Sequence, residues 1–181
     1  MTRKLFFVVL SFIMVAGCVS RADPAVSDYR RGLAAYSAGL SERAIAFFTA
    51  AIDHGTLPQD DLSIAYERRC AAQIAVGEFA LAVEDCSSAL SINETFANAL
   101  NGRCWAQARM DKFDLAVADC EKAVSLDRDD KSFAHDLGFV YEGLGNLEKA
   151  KSAYGQALAL DPAYEEAREG LDRVTNIINP S

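Results

Sequence analysis

Four cysteines in this chain stand at intervals that repeat. Cys70 and Cys104 are 34 residues apart, as are Cys86 and Cys120, and 16 residues separate Cys70 from Cys86 and Cys104 from Cys120. Thiols at such spacing can oxidise to disulfides, ligate a metal, or be buried as small apolar groups. The metal reading is poor, because there is no C-x-x-C pair and only His54 and His135 could complete a ligand set. Disulfides suit an even number of cysteines in an exported chain, and four cysteines permit three pairings. Buried free thiols are the alternative. No other chemistry is legible. The sequence has no nucleophile elbow, P-loop, H-E-x-x-H or dinucleotide fingerprint. Its Asp and Glu residues read as single solvated charges, with Glu84-Asp85 serving solubility and Asp129-Asp130 capping a helix. The expectation is therefore no catalytic residue, no enzyme activity, no cofactor and no metal.

The elements that position the cysteines follow the same beat. Ala82, Ala116 and Ala150 step by 34, and so do Ala89, Ala123 and Ala157. A period of this length marks one supersecondary unit stacked on copies of itself, each burying its apolar face only against its neighbours. The last copy shows the unit as a pair of helices. Phe133–Glu142 carries Leu137 and Tyr141, Gly143–Asn146 makes the turn, and Leu147–Leu160 carries Ala150, Tyr154, Ala157 and Leu158 at helical spacing. Asp161-Pro162 ends it. Gly145 suits the tight turn, and Gly138 and Ala150 let two backbones approach. The fold class is all-α, an α-solenoid of helix hairpins.

The unit resembles a tetratricopeptide repeat. Residues 131–164 supply Leu137-Gly138, Tyr141, Ala150, Tyr154 and Pro162 in the family's register. Residues 97–130 supply Cys104, Phe113, Ala116, Cys120 and Ala123, and residues 63–96 supply Tyr66, Cys70, Gly77, Phe79, Ala82, Cys86 and Ala89. A first copy at about 25–58 supplies Gly32, Tyr36, Gly39, Ala44, Phe48 and Ala51, offset by 38 from the next. The four added residues are expected in a longer loop near Thr56–Leu62. Thr56, Glu94 and Arg128 stand where the family has proline. Residues 164–178 make one more amphipathic helix, a cap for the terminal repeat. The resemblance covers about 140 of 181 residues.

Two expectations come from the resemblance. In this family the small residue of the first helix meets the aromatic of the second within one repeat. Cysteines occupy both places in two successive repeats, which implies the pairs Cys70–Cys86 and Cys104–Cys120; a cross-repeat Cys86–Cys104 bond is the competitor. The family's first helices also line a concave groove. Its places here are Tyr29, Leu33, Tyr36, Glu67, Asn101, Trp105, Arg109, His135 and Phe139, with Trp105 as a peptide anchor and Asn101 as a backbone contact. Trp105 packed as core is the alternative. The charged clamp that some tetratricopeptide domains use for a terminal carboxylate is not supplied by Glu67, Ala71 and Asn101.

The N-terminus reads as an address. Arg3 and Lys4 precede an apolar run from Leu5 to Ala16, too short for the roughly 20 residues that span a bilayer. Val15-Ala16-Gly17-Cys18 resembles a bacterial lipobox, which implies a signal peptide over residues 1–17, a lipid on Cys18, and a tether over 18–27 before a repeat domain at 28–178. An uncleaved anchor or a soluble periplasmic protein are the alternatives. Val19 after the cysteine leans toward the outer membrane. The whole chain carries net charge −8. Without Arg3 and Lys4 there are 16 basic and 26 acidic residues, net −10. Such a chain lacks the footprint of a nucleic-acid binder and is repelled by anionic headgroups, so a lipid must hold it to a membrane. The sequence thus predicts a lipid-anchored scaffold binding a protein or peptide partner in a bacterial envelope. A small cell-wall enzyme or a self-associating structural protein are the other readings.

Overall fold

The computed structural model describes residues 23–180, and every helix there belongs to one hairpin stack. The helices are α1 (Pro24–Ser37), α2 (Ser41–Asp53), α3 (Gln59–Ala75), α4 (Phe79–Ile92), α5 (Ala97–Ala108), α6 (Phe113–Leu126), α7 (Lys131–Gly143), α8 (Leu147–Leu160) and α9 (Glu165–Ile178). No strand occurs among the described residues. Each of α1, α3, α5 and α7 pairs with the even helix that follows it, each hairpin packs on the next, and α9 packs on α8. The odd helices also touch one another in order, α1 on α3, α3 on α5, α5 on α7 and α7 on α9. The even helices have no such contacts. The stack therefore curves, with odd helices on the inner, concave side and even helices spread along the outer side.

Within a hairpin the fit is a ring against a glycine. A Cβ on Gly32 would stand 2.7 Å from the Phe48 ring, and one on Gly138 would stand 2.7 Å from Tyr154. In the two middle hairpins the same places hold sulfur. Cys70 pairs with Cys86 and Cys104 with Cys120, with Cα atoms 5.6 and 5.5 Å apart. All four cysteines are fully buried.

A second device repeats beside the sulfur. The Arg69 guanidinium donates to both oxygens of Asp85 at 2.6 and 2.7 Å, and to Thr49 Oγ1 at 2.9 Å. One repeat on, Arg103 donates to both oxygens of Asp119 at 2.6 and 2.9 Å and to Ser87 Oγ at 3.2 Å. Each arginine thus joins its own hairpin and reaches back to the even helix of the preceding one. Asp85, expected as a solvated charge, is 5% exposed. The bidentate fork satisfies its carboxylate in an interior that would otherwise expel it.

Two boundaries differ from expectation. The residues added between the first and second repeats form no long loop. Only residues 54–58 link α2 to α3, and Gln59–Leu62 are the first turn of a 17-residue helix. Pro58 sets the entry, and Asp60 and Asp61 favour the positive end of the helix dipole. Residues 24–27, expected in the tether, are likewise helical. Asp23 caps α1 by accepting from the Ala25 amide at 2.9 Å, with Pro24 in the first turn. Residues 1–22, which hold the apolar run and Cys18, lie outside the described residues. Among the described residues no helix is long and apolar enough to cross a membrane.

The hairpin turns need a left-handed residue. Gly39, Gly77 and Gly145 fill that place with φ of 70°, 83° and 71°, and Asp111 fills it in the third repeat with φ of 59°. An L side chain is strained there. Asp111→Gly is expected to stabilise the chain by up to about 1 kcal/mol, read as a raised thermal midpoint.

Candidate functional site

The concave side is built by α3, α5 and α7, whose repeat places come round every 34 residues. Stacking these helices opens a cavity of about 290 Å³, lined by Tyr36 of α1, Glu67 and Ala71 of α3, Asn101 and Trp105 of α5, and Asp136 of α7, among others. Trp105 is half-buried. Its ring lies 5.2 Å from Phe139 and 6.3 Å from His135, centroid to centroid. The Arg109 guanidinium sits 5.6 Å from the Trp105 centroid and 5.1 Å from that of Phe79. Trp105 therefore has aromatic support on one side and open volume on the other.

Acceptor groups line the cavity. Glu67 is 4% exposed, and its Oε2 has no hydrogen-bond partner. Arg68 Nε lies 3.3 Å from that oxygen, an ion-pair distance without hydrogen-bond geometry. Burial raises the Glu67 carboxyl above its ordinary value, and the Arg68 charge offsets part of the rise. Asn101 Nδ2 donates to Asp136 Oδ2 at 2.8 Å, while Asn101 Oδ1 is buried without a partner. His135 Nδ1 lies 3.0 Å from the other Asp136 oxygen. Burial pushes the Asp136 carboxyl up; hydrogen bonds from His135 and Asn101 pull it down, and burial prevails.

The structure brings together some of the groove residues expected from the register and separates others. Tyr36, Glu67, Asn101 and Trp105 line one cavity. Arg109 is exposed and outside that lining, its guanidinium over the Trp105 and Phe79 rings. Tyr29 does not line the cavity: it is 8% exposed and packs on Phe48, 6.3 Å between centroids, in the N-terminal core. Leu33 is half-buried against that same N-terminal core. Phe139 is half-buried and supports Trp105 from behind, with Phe113 6.0 Å beyond it. His135 sits between Tyr154 and Tyr164, at 5.7 and 5.4 Å. Asp136 and Arg68 carry no signal in the sequence. Asp136 follows His135 by one place, and only the stacking of α7 on α5 aims it at Asn101. His54 is exposed, 3.4 Å from Asp28 Oδ2. Among the described residues no cluster of His, Cys, Asp and Glu stands ready to hold a metal ion.

Comparison with known proteins adds the family of the repeats. Residues 99–130 and 133–164 each match the tetratricopeptide repeat family. The heat shock protein STI1 of Saccharomyces cerevisiae is 30% identical over 145 residues, covering 80% of this chain. The chain spans only 18% of that relative's length. Among solved structures, a MamA double mutant superposes with a TM-score of 0.75 at 20% identity, over 87% of this chain and 86% of its own. YrrB, described as a tetratricopeptide protein with an unusual peptide-binding site, gives 0.70 at 18% identity, over 82% and 74%. The second tetratricopeptide domain of human RPAP3, in complex with the HSP70 peptide SGPTIEEVD, gives 0.61 at 22% identity, over 65% and 98%. At these identities the shared property is the fold. Two segments of this chain are tetratricopeptide repeats, and its architecture is the hairpin solenoid of proteins built from them.

Proposed function

We propose that this chain is a lipid-anchored scaffold of a bacterial envelope that holds a protein or peptide segment in its concave groove. The observation that carries the groove is Trp105, half-buried, aromatic-backed and facing open volume on the side where the first helices stack. Aromatic anchors of this kind dominate binding energy where a pocket desolvates them. Solved relatives of the same fold support a peptide as ligand, since RPAP3 is seen with one and YrrB is described by its peptide site. The groove here differs in sign from what an acidic peptide needs, because Glu67 and Asp136 face it.

The anchor rests on Val15-Ala16-Gly17-Cys18, placed directly after the apolar run. Two acyl chains give stable attachment where one gives marginal attachment. An exported address also agrees with paired cysteines, since disulfides persist outside the reducing cytosol. The outer membrane, facing the periplasm, is the destination that Val19 favours.

Two changes test this. Cys18→Ser is expected to block processing and release the protein from the membrane fraction; unchanged cleavage and fractionation would contradict the anchor. A photo-crosslinking residue at Arg109, beside Trp105, is expected to trap a discrete partner in the native envelope, and one at Glu84 on the outer helix α4 is not. Equal trapping at both positions would contradict the groove.

A further inference from the structure

The cavity under Trp105 holds more acceptors than its own donors satisfy. Glu67 Oε2 and Asn101 Oδ1 are buried and unpartnered. A buried polar atom left without a partner costs free energy that a well-placed donor recovers. Carboxylates of Glu67 and Asp136 face the space, and the one cation among its lining residues is Arg68. Arg68 is already held, its guanidinium 5.2 Å from the Tyr36 centroid and 3.3 Å from Glu67. The volume, about 290 Å³, is at the small end of ligand pockets, which begin near about 300 Å³, and suits one side chain better than a cofactor. What it lacks is a planar or compact group rich in N–H donors that can also lie on the Trp105 ring.

We propose that this cavity takes a basic side chain, arginine in first place, from the segment held in the groove. A guanidinium offers five donors in a plane, reaches Glu67 and the Asn101 carbonyl together, and stacks on an aromatic face. An ammonium offers donors without the stacking plane, so lysine ranks second. A glutamate would meet Glu67 and Asp136 with only Arg68 to receive it. The excess of acidic residues on the chain, net −8, steers a basic partner toward the surface. This inference rests on the groove being the partner site and adds the chemistry of what enters it.

The test uses the full-length protein and capped peptides Ac-Ala-Ala-X-Ala-Ala-NH2, with X as arginine, citrulline, lysine or glutamate. The sole tryptophan, Trp105, reports occupancy by its fluorescence. The arginine peptide is expected to give a saturable change with affinity at least about tenfold above citrulline, its neutral isostere, and above glutamate. Glu67→Gln is expected to weaken the arginine peptide about tenfold and leave the citrulline peptide unchanged. Equal binding of arginine and citrulline by the unaltered protein, a preference for glutamate, or no saturable signal from any peptide would overturn the proposal, and none of these depends on the variant folding. If trapping at Arg109 is lost on Trp105→Ala but not on Glu67→Gln, the groove stands and the basic side chain does not.

Discussion

Replacing all four repeat cysteines by alanine is expected to cost at least about 6 kcal/mol, since each bridge closes a loop of roughly 15 residues, worth about 3 kcal/mol in the chain-entropy model. The loops are equal because both pairs span 16 residues. The bridges matter here because the middle hairpins lack the ring-in-glycine fit of the outer two. Gly32 receives Phe48 and Gly138 receives Tyr154, but Cys70 and Cys104 are each paired with a cysteine, and the first bridge packs against Gly102 of α5, where a Cβ would stand 2.9 Å from Cys86 Sγ. Alanine at these places leaves small side chains where the outer hairpins carry an aromatic, so cavity loss adds to the lost loop constraint. The Arg69–Asp85 and Arg103–Asp119 forks remain, and they keep the helices in register at low temperature. Reduction should thus lower the thermal midpoint steeply while the helical spectrum in the cold stays the same. Four free thiols in protein taken from its native compartment, or a midpoint indifferent to reductant, would contradict the pairing.

Tyr154→Ala is expected to cost about 3–5 kcal/mol, all of it at the C-terminal end. Tyr154 is fully buried, the largest side chain to be so among the described residues. A Cβ on Gly138 of α7 would stand 2.7 Å from its ring and one on Gly170 of α9 would stand 2.5 Å from it. Its hydroxyl donates to Glu142 Oε2 at 2.8 Å. Arg173 of the capping helix donates to both oxygens of the same carboxylate, at 2.6 and 2.9 Å. One ring therefore fastens three helices. Burial raises the Glu142 carboxyl, but the hydrogen bonds from Arg173 and Tyr154 outweigh it and hold the group below its ordinary value. A carboxyl depressed in the folded state contributes stability that is present above its unfolded value and lost as pH falls through the folded one. The cap should then loosen first on acidification. Tyr154→Phe keeps the ring and removes one hydrogen bond, so its cost should be only about 1 kcal/mol. Equal losses from the two substitutions would show that the ring does not carry the joint.

The period of 34 makes the hairpins legible in the residues themselves, because an apolar interface repeats wherever its residues repeat. The odd-helix groove and the two sulfur pairs follow once that period is matched to the tetratricopeptide register. The salt-bridged forks obey the same period, with Arg69 and Arg103, Asp85 and Asp119 each 34 apart. They are unreadable in the sequence for a physical reason. A charged residue on a helix face is solvated unless its partner on the opposing helix reaches it, and sequence spacing fixes the face without fixing the reach. The extra turn of α3 is hidden for a related reason: Pro58 followed by Asp60 and Asp61 suits both a loop and a helix start. Register alone points to Trp105, whereas its companions Asp136 and Arg68 join it only through the stacking of α1, α3, α5 and α7.

Substituting Trp105 by alanine and measuring thermal midpoint and partner binding on the same protein separates a binding anchor from a core aromatic. Partner binding is expected to fall by about 2 kcal/mol or more, the cost of a hot-spot aromatic, with the midpoint nearly unchanged because Phe139 and Phe113 hold the wall behind it. A loss of about 3–5 kcal/mol in stability, as for a core aromatic, with unchanged affinity in the protein that remains folded, would contradict a binding groove at Trp105.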